Sequence, residues 1–273
     1  MLVRFWGVRG SLPCPGNTTA RYGGNTACVE VRCGDRLLVL DAGTGLRLLG
    51  NSLAATEGVQ ADIYLTHCHS DHVAGLPFFA PAYRPSSELR VWAGNLLPER
   101  TLAQVARTVM AEPLFPGAAG MFKADITFHD FRAGQTLHPQ TDITVRTAPL
   151  NHPGRATGYR VEFGGRSVAY ITDTEHRPGE PDQHVLALAE GADLMIYDGN
   201  FTDEEFVTRA GWGHSTWQEG VRILAASGAR RLAIFHHDPD HDDEFLDGVK
   251  AHAAALHPGA FVAAEGMTLH MGA

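Results

Sequence analysis

Short apolar runs bounded by glycine, aspartate or proline recur along the chain. They are rich in valine, isoleucine, leucine and tyrosine, and they have the length of β-strands. Several barely alternate between apolar and polar positions, which indicates strands that are buried on both faces. The runs that predict strands are ACVEVRC, RLLVLDAG, ADIYLTH, LRVWAG, DITVRTAP, GYRVEFGG, SVAYITD, ADLMIYDG and RRLAIFHH.

Two segments between these runs have helical patterns. LPERTLAQVARTVMAE, residues 97–112, has a proline near its start, which a first helical turn tolerates. STWQEGVRILAASGA, residues 215–229, begins with capping Ser/Thr residues and stops at glycine. The mixture predicts a layered α/β fold with sheets at its centre and helices outside, in a single domain over residues 1–273.

The composition is that of an ordinary globular chain. Of 273 residues, 44% are hydrophobic and 19% charged, which is enough to bury a sizeable core. No apolar run reaches the roughly 18 residues of a membrane helix, and MLVRFWGVRGS lacks a signal-peptide pattern. The four cysteines form no CxxC pair, so reduced, mostly buried thiols are expected. We therefore expect a cytoplasmic protein.

The formal net charge is −9. An acidic surface repels a polyanion, so an extended nucleic-acid partner is disfavoured. A small anionic ligand held by local cations remains compatible with this charge.

The stretch LTHCHSDHVAG places three histidines and an aspartate directly after an apolar run. His67 and His69 are two residues apart at the end of a strand and therefore point to the same side. Asp71 and His72 follow Ser70, which is predicted to cap the next helix. Imidazole and carboxylate ligands suit zinc and its neighbours, so the stretch predicts a metal site.

Further candidate ligands follow other apolar runs. They would lie at the carboxyl edges of strands, where α/β folds collect their ligands. Each one alone is weak evidence, because a histidine after a strand is often a loop residue, but together they complete two coordination sets. These residues are His152, Asp173 and either His236 or His237.

Several motifs together resemble one superfamily. THCHSDHVAGLP resembles T-H-x-H-x-D-H-x-x-G-L-P, and LLVLDAGTG resembles the strand and acidic turn before it. NHPGRATGYRV, AYITDTEH and GHST resemble later motifs of the same proteins. The chain is similar to the metallo-β-lactamase fold superfamily, within the branch of ribonuclease Z and phosphodiesterase-type hydrolases.

The resemblance implies a four-layer αβ/βα sandwich with a two-metal site, in which a hydroxide between the cations attacks the substrate. Zinc is the expected metal, and Mn²⁺ or Fe²⁺ suit the same ligands. The spacing from GHST favours His236 over His237. The implied ligands are His67, His69 and His152 for one metal, Asp71, His72 and His236 for the other, and Asp173 bridging both.

The resemblance also gives His214 of GHST a role. The matching histidine in ribonuclease Z-like enzymes contacts the scissile phosphate beside an acidic partner. The partner's segment there reads H-E-A-T-F, and YDGNF here places Asp198 in that position. An Asp–His pair suits general-acid catalysis, so His214 and Asp198 are expected to be catalytic together with Asp71. The alternative is a helix-terminal His214 without a catalytic part.

Other polar residues have less specific interpretations. In the glycine-rich N-terminal turn, Arg9, Arg21 and Asn25 are candidates for contacting an anionic substrate, although a structural hairpin explains them equally well. Asp41 is expected to anchor the pocket through hydrogen bonds, and Cys68 to turn away from the ligands beside it. HHDPDHDDEF, residues 236–245, is expected to be a solvated loop.

The expected substrate follows from the absence of a segment that ribonuclease Z enzymes use to grip tRNA. Ribonuclease Z enzymes carry a tRNA-gripping arm between the third-ligand histidine and the bridging aspartate, and here only a glycine hairpin separates His152 from Asp173. The expected enzyme is a phosphodiesterase for a small cyclic or linear diester, with a homodimer as a weak family expectation. The alternatives are a lactonase, thioesterase or β-lactamase-like hydrolase, an RNA-processing nuclease, or a non-catalytic metal-binding module.

Overall fold

The computed structural model describes residues 1–113, 115–116 and 121–272. Its strands are β1 Leu2–Gly7, β2 Cys28–Cys33, β3 Arg36–Leu40, β4 Gln60–Leu65, β5 Glu88–Ala93, β6 Asp125–Asp130, β7 Thr136–Gln140, β8 Ile143–Leu150, β9 Ala156–Phe163, β10 Arg166–Ile171, β11 Leu194–Asp198, β12 Leu232–Phe235, β13 Ala260–Val262 and β14 Thr268–His270. The helices are α1 Gly45–Ser52, α2 Ser70–Val73, α3 Leu102–Val109, α4 Gln183–Ala189, α5 Asp203–Arg209, α6 Trp217–Ser227 and α7 Asp243–Leu256, with short 3₁₀ turns at Leu76–Phe78 and Ala80–Tyr83.

The strands form two seven-stranded mixed sheets. One has the order β14-β1-β2-β3-β4-β5-β6 and the other β13-β12-β11-β10-β9-β8-β7. Strands β3 to β6 are mutually parallel, as are β10 to β13. Strand β9 is antiparallel to both β8 and β10, so β8 runs in the direction of β10. The carboxyl ends of these strands therefore gather at one edge of each sheet.

Alternation along each central strand places apolar side chains on both faces of its sheet. In β3, Leu38 and Leu40 enter a core shared by the two sheets, whereas Leu37 and Val39 face the layer that contains α1. In β10, Val168 and Tyr170 enter the shared core and Ala169 and Ile171 face α4 and α6. The layers are therefore helix, sheet, sheet, helix, which confirms the predicted sandwich.

Helix α6 follows its sequence pattern closely. Thr216 caps its first turn by accepting from the backbone N–H of Glu219, and Gly228 ends it in the left-handed conformation. The prediction of a helix from residue 97 was wrong at its start. Thr101 forms a capping box with Gln104, so α3 begins at Leu102 and Pro98 lies before the helix.

Hydrogen bonds join the two sheets at the edge where the strands end. The backbone N–H of Thr157 donates to the carbonyl of Thr66 over 2.9 Å, and the Tyr170 hydroxyl donates to Asp41 over 2.9 Å. Among the described residues, no helix is long and apolar enough to cross a membrane. All four cysteines are free, as predicted.

Candidate metal centre

Six of the predicted ligands form two groups where β4, β8 and β12 end. His67 and His69 follow β4, and the His152 Nε2 atom lies 3.3 Å from His69 Nδ1. The second group forms where α2 meets the end of β12. His236 Nε2 lies 3.2 Å from His72 Nε2 and 3.4 Å from Asp71 Oδ2. Within each group, the three ligand atoms are all within 4.8 Å of one another.

Asp173 follows β10 and lies between the two groups. Its Oδ1 atom is 3.8 Å from His67 Nε2 and 3.9 Å from His152 Nε2. Its Oδ2 atom is 3.2 Å from His72 Nε2 and 3.3 Å from His236 Nε2. One carboxylate therefore presents an oxygen to each group.

The donor set fits divalent metal ions. A tetrahedral metal with bonds of about 2.0–2.1 Å holds its ligand atoms roughly 3.3 Å apart. The contacts at 3.2–3.4 Å match this spacing, and the two distances from Asp173 Oδ1 are longer. The Nε2 atom of His67 is buried and has no hydrogen-bond partner among the described residues. A buried polar atom without a partner is costly, and a metal would satisfy it.

Hydrogen bonds to the second ring nitrogen orient two of the histidines. Asp41 Oδ2 lies 2.8 Å from His72 Nδ1, and the carbonyl of Gly213 lies 2.9 Å from His152 Nδ1. With a proton held on Nδ1, the lone pair of Nε2 faces the centre, as metal ligation requires. Asp41 also accepts from the Thr66 backbone and hydroxyl, so it anchors the pocket as predicted.

The charge of the pocket favours a cation. Burial opposes ionisation of His72, but Asp173, Asp41 and Asp71 raise its pKa well above the ordinary value. Burial alone would raise the pKa of Asp173, yet the neighbouring imidazoles hold it well below the usual range. Burial lowers the pKa of His67. Carboxylates therefore dominate the electrostatics of this mostly buried site, which is a favourable environment for added positive charge.

His214 and Asp198 form a hydrogen-bonded pair beside the metal ligands. His214 Nδ1 lies 3.1 Å from Asp198 Oδ2 and 3.9 Å from Asp173 Oδ1. Burial lowers the pKa of His214, but Asp198 and the other carboxylates outweigh it and raise that pKa to about 9. Asp198 is itself fixed, because it accepts from the backbone N–H groups of Asp173, Asn200 and Ser215.

Three of the site residues adopt the left-handed backbone conformation without being glycine. Their φ angles are 61° for Asp41, 60° for Asp173 and 61° for His236. Each such position costs about 1 kcal/mol or more, so surrounding contacts must hold it in place. These three strained residues follow the ends of β3, β10 and β12, at the edge of the sheets where the candidate ligands lie.

The two adjacent histidines that follow β12 point to different sides. His236 enters the metal pocket, whereas His237 Nε2 bonds to the carbonyl of Ala263 on the other side. Burial lowers the pKa of His237 to about 3, so this side chain stays neutral. Cys68 packs into the apolar layer around α1, facing away from the ligands beside it as predicted.

The N-terminal turn lies beside the pocket, but its polar side chains are committed elsewhere. Arg9 is fully buried and donates to the carbonyls of Gly23, Asp238 and His241. Arg21 pairs with Asp243 and Asp247, and Asn25 donates to Glu265. These contacts support the structural interpretation of the turn, and Arg9 Nη2 alone of these donors is buried without a hydrogen-bond partner among the described residues.

Two smaller predictions were wrong. Ser70 is the first residue of α2 and makes no capping bond, because His69 occupies the N-cap position. Residues 236–245 are not a solvated loop. His241 is buried against Phe245 and bonded to Glu205, Asp242 caps α7, and buried Asp243 accepts from the backbone of Arg21.

Sequence reasoning missed two residues that hold the ligands. The backbone N–H of Ser11 donates to Asp71 Oδ2 over 2.8 Å, and Asn200 donates to the carbonyl of His236 over 2.8 Å. Ser11 lies in an irregular turn with φ 58°, and Asn200 follows the end of β11. Their roles depend on loop conformation, which no periodic pattern reports.

Comparisons with known proteins agree with this geometry. A protein-family model described as "Beta-lactamase superfamily domain" matches residues 36–237. Ribonuclease Z from Halobacterium salinarum is 25% identical over 97% of this chain and 96% of its own. The short form of human tRNase Z superposes with a TM-score of 0.73 at 18% identity, covering all of both chains. A diphosphatase from the PhnP family gives 0.72 at 17% identity, covering 99% of this chain and 98% of that one.

The family match covers well over half of the chain, so this protein belongs to the β-lactamase superfamily. The two-sheet sandwich and the histidine–aspartate groups at its edge are those of a metallo-β-lactamase fold hydrolase. The chain is thus a metal-dependent hydrolase, and it is similar to ribonuclease Z among its curated relatives. The fold implies divalent metal ions, and the groups described above are able to hold them.

Proposed function

We propose that this chain is a phosphodiesterase that hydrolyses a small cyclic or linear phosphodiester at a pair of divalent cations, with Zn²⁺ as the first choice. The observation that carries the proposal is the position of Asp173, whose two oxygens face different ligand groups while His214 and Asp198 lie alongside. The first cation would lie among His67, His69 and His152. The second would lie among Asp71, His72 and His236.

When bound, such a cation pair supplies Lewis acidity at the phosphoryl oxygens and makes water acidic enough to react near neutral pH. The chain's own part is to hold the ligands in a fixed arrangement. Asp41 fixes the ring of His72, Gly213 fixes that of His152, and the Ser11 backbone fixes Asp71. Preorganised ligands avoid reorganisation during the reaction.

His214 is proposed to donate a proton to the leaving oxygen of the diester. Its Nδ1 atom is occupied by Asp198, which leaves Nε2 as the atom available to the substrate. The carboxylate keeps the ring protonated and oriented, as a general acid requires. This pair suits a diester that expels an alkoxide, whereas a thioester expels a stable thiolate and would need such an acid less.

An RNA-processing role is the second candidate, because the curated relative from Halobacterium salinarum is a ribonuclease Z. Two features oppose it. Residues between His152 and Asp173 form only the β9–β10 hairpin, with its turn at Gly164 and Gly165. The net charge of −9 also disfavours an extended polyanion. A small diester avoids both difficulties.

The proposal is tested by turnover of a substrate panel by Zn²⁺-loaded protein. The panel contains bis-p-nitrophenyl phosphate, a 2′,3′-cyclic nucleotide, a homoserine lactone and a precursor tRNA. We expect hydrolysis of one or both small diesters, which a chelator abolishes and added Zn²⁺ restores. Preferred cleavage of the lactone or the tRNA would contradict the proposal, as would turnover that survives removal of the metal.

A further inference from the structure

Three loops meet at His152 and His214. Glu175 lies on one of these loops and is hydrogen-bonded to the other two. The loops are Asn151–His152 after β8, Asp173–Glu175 after β10, and Ala210–His214 before α6. Glu175 is joined to the first loop through its backbone. Its N–H donates to the carbonyl of Asn151, whose side-chain amide donates back to the carbonyl of Glu175, both over 2.8 Å.

The carboxylate of Glu175 is joined to the third loop. A single oxygen, Oε2, accepts from the backbone N–H of Gly211 over 2.7 Å and of Gly213 over 2.9 Å. These hydrogen bonds tie two peptide units of the turn to one carboxylate oxygen. Together they close this glycine-containing turn into a defined shape.

The shape of that turn matters because Gly213 contacts a proposed ligand. Its carbonyl lies 2.9 Å from His152 Nδ1. Gly213 has φ 91°, and a Cβ added there would lie 2.3 Å from the same nitrogen. The turn is therefore packed directly against the ring of His152, and a shift of Gly213 would rotate that ring.

The same turn leads directly into His214. The residue after Glu175, His176, bonds to the Ser215 hydroxyl over 2.8 Å. Residues 175 and 176 therefore hold the chain on both sides of His214, through Gly213 and through Ser215.

We propose that Glu175 is a positioning residue, which acts through the Gly211–Gly213 backbone to align His152 toward the metal and His214 toward the substrate. This inference rests on the proposed phosphodiesterase function, because its predicted change in kcat requires diester turnover. Its predicted change in Zn²⁺ affinity requires only the metal site. Glu175 itself takes no part in bond making or breaking.

The test compares Glu175→Ala with Glu175→Gln, using Glu180→Ala as the matched control. Glu180 is highly exposed and lies on the same connection between β10 and α4, where its carboxylate is 4.0 Å from the guanidinium of Arg177. Zn²⁺ affinity is measured by chelator competition. The kcat and KM values for a 2′,3′-cyclic nucleotide, whose alkoxide leaving group needs a proton, are measured at saturating Zn²⁺, in the native and His214→Ala backgrounds.

Glu175→Ala is expected to weaken Zn²⁺ binding about 10-fold, the lower end of effects seen when an outer-shell partner of a ligand is lost. It is also expected to lower kcat about 10- to 100-fold while KM stays within about twofold. Glu175→Gln should retain most of both properties, because its amide oxygen can accept the same two N–H groups. Glu180→Ala should match the native protein. In the His214→Ala background, Glu175→Ala should lower kcat little further.

Native Zn²⁺ affinity and kcat in Glu175→Ala would overturn the proposal. Equal losses in Glu175→Ala and Glu175→Gln would also overturn it, because they would implicate the charge rather than the hydrogen bonds. An undiminished loss of kcat in the His214→Ala background would show that Glu175 does not act through His214. If the native protein turns over no diester, the proposed function fails and the Zn²⁺ affinities alone decide the role of Glu175.

Discussion

His72 illustrates how single side chains prepare this pocket for a cation. Three carboxylates lie close to its ring, with Asp41 at 2.8 Å, Asp71 at 3.1 Å and Asp173 at 3.2 Å. Placing three carboxylates around one buried imidazole is unfavourable unless positive charge is present. A bound cation between Asp71, Asp173 and Nε2 would supply that charge, while Asp41 keeps the proton of Nδ1.

The candidate ligands were predictable from sequence because they directly follow apolar strands. Residues such as Asn200, Ser11 and Glu175 were not, because each acts through a hydrogen bond set by loop conformation. Arg9 shows a case that the sequence left open between a substrate contact and a structural role. A buried guanidinium that donates to backbone carbonyls looks, in sequence, like a cation waiting for a ligand.

Replacing His214 by alanine tests its assignment as the acid. The variant should bind as much metal as the native protein, since the proposed ligands remain. Its rate with a 2′,3′-cyclic nucleotide, whose alkoxide leaving group needs a proton, should fall on the order of 10²-fold, the usual contribution of a general acid. Metal content is measured by elemental analysis and the rate by chromatography of the nucleoside monophosphate product.

His184→Ala is the control for that substitution, because His184 is an exposed histidine on α4 outside the pocket. It should leave both the metal content and the rate unchanged. An unaltered rate in His214→Ala, at native metal content, would remove His214 from the mechanism.

At the scale of elements, strands that are buried on both faces of a sheet were predictable, because their sequences are nearly continuous apolar runs. The nine apolar runs correspond to β2–β5 and β8–β12, whose central members pack between a helix layer and the other sheet. Five strands were not predicted. β6 and β7 carry exposed polar positions, β7 contains Pro139, and β13 and β14 have three residues each. The N-terminal strand β1 was not recognised as a strand in the sequence.

The approach of the N-terminal turn to β12 gives a prediction at this scale. A Cβ on Gly10 would lie 2.4 Å from His236 Nδ1 and 2.8 Å from the Asn200 amide. Gly10→Ala should therefore push His236 off its position and weaken Zn²⁺ binding about 10-fold or more, because a small misplacement at such a site is costly. Chelator competition measures the change.

Gly248→Ala is the matched control, because a Cβ there meets nothing within 4 Å. It lies within α7, where alanine is the better helix former, so stability should rise slightly at unchanged Zn²⁺ affinity. Native affinity in Gly10→Ala would show that the turn does not constrain His236.

At the scale of the whole molecule, the site exists because two sheets meet at the carboxyl ends of their strands. β4 supplies the first histidines, while β8, β10 and β12 of the other sheet lead to His152, Asp173 and His236. The sequence predicted which strand ends carry ligands. It did not establish how closely the two edges approach, which depends on the shared apolar core between the sheets.

The most direct test of this account is anomalous scattering at the zinc edge from crystals grown with Zn²⁺, combined with elemental analysis. The account predicts two peaks about 3.5–4 Å apart. One would lie beside His67, His69 and His152, and the other beside Asp71, His72 and His236. Asp173→Ala should lose at least one of the two. An absence of both peaks, or two full-occupancy peaks in Asp173→Ala, would contradict the shared two-metal site.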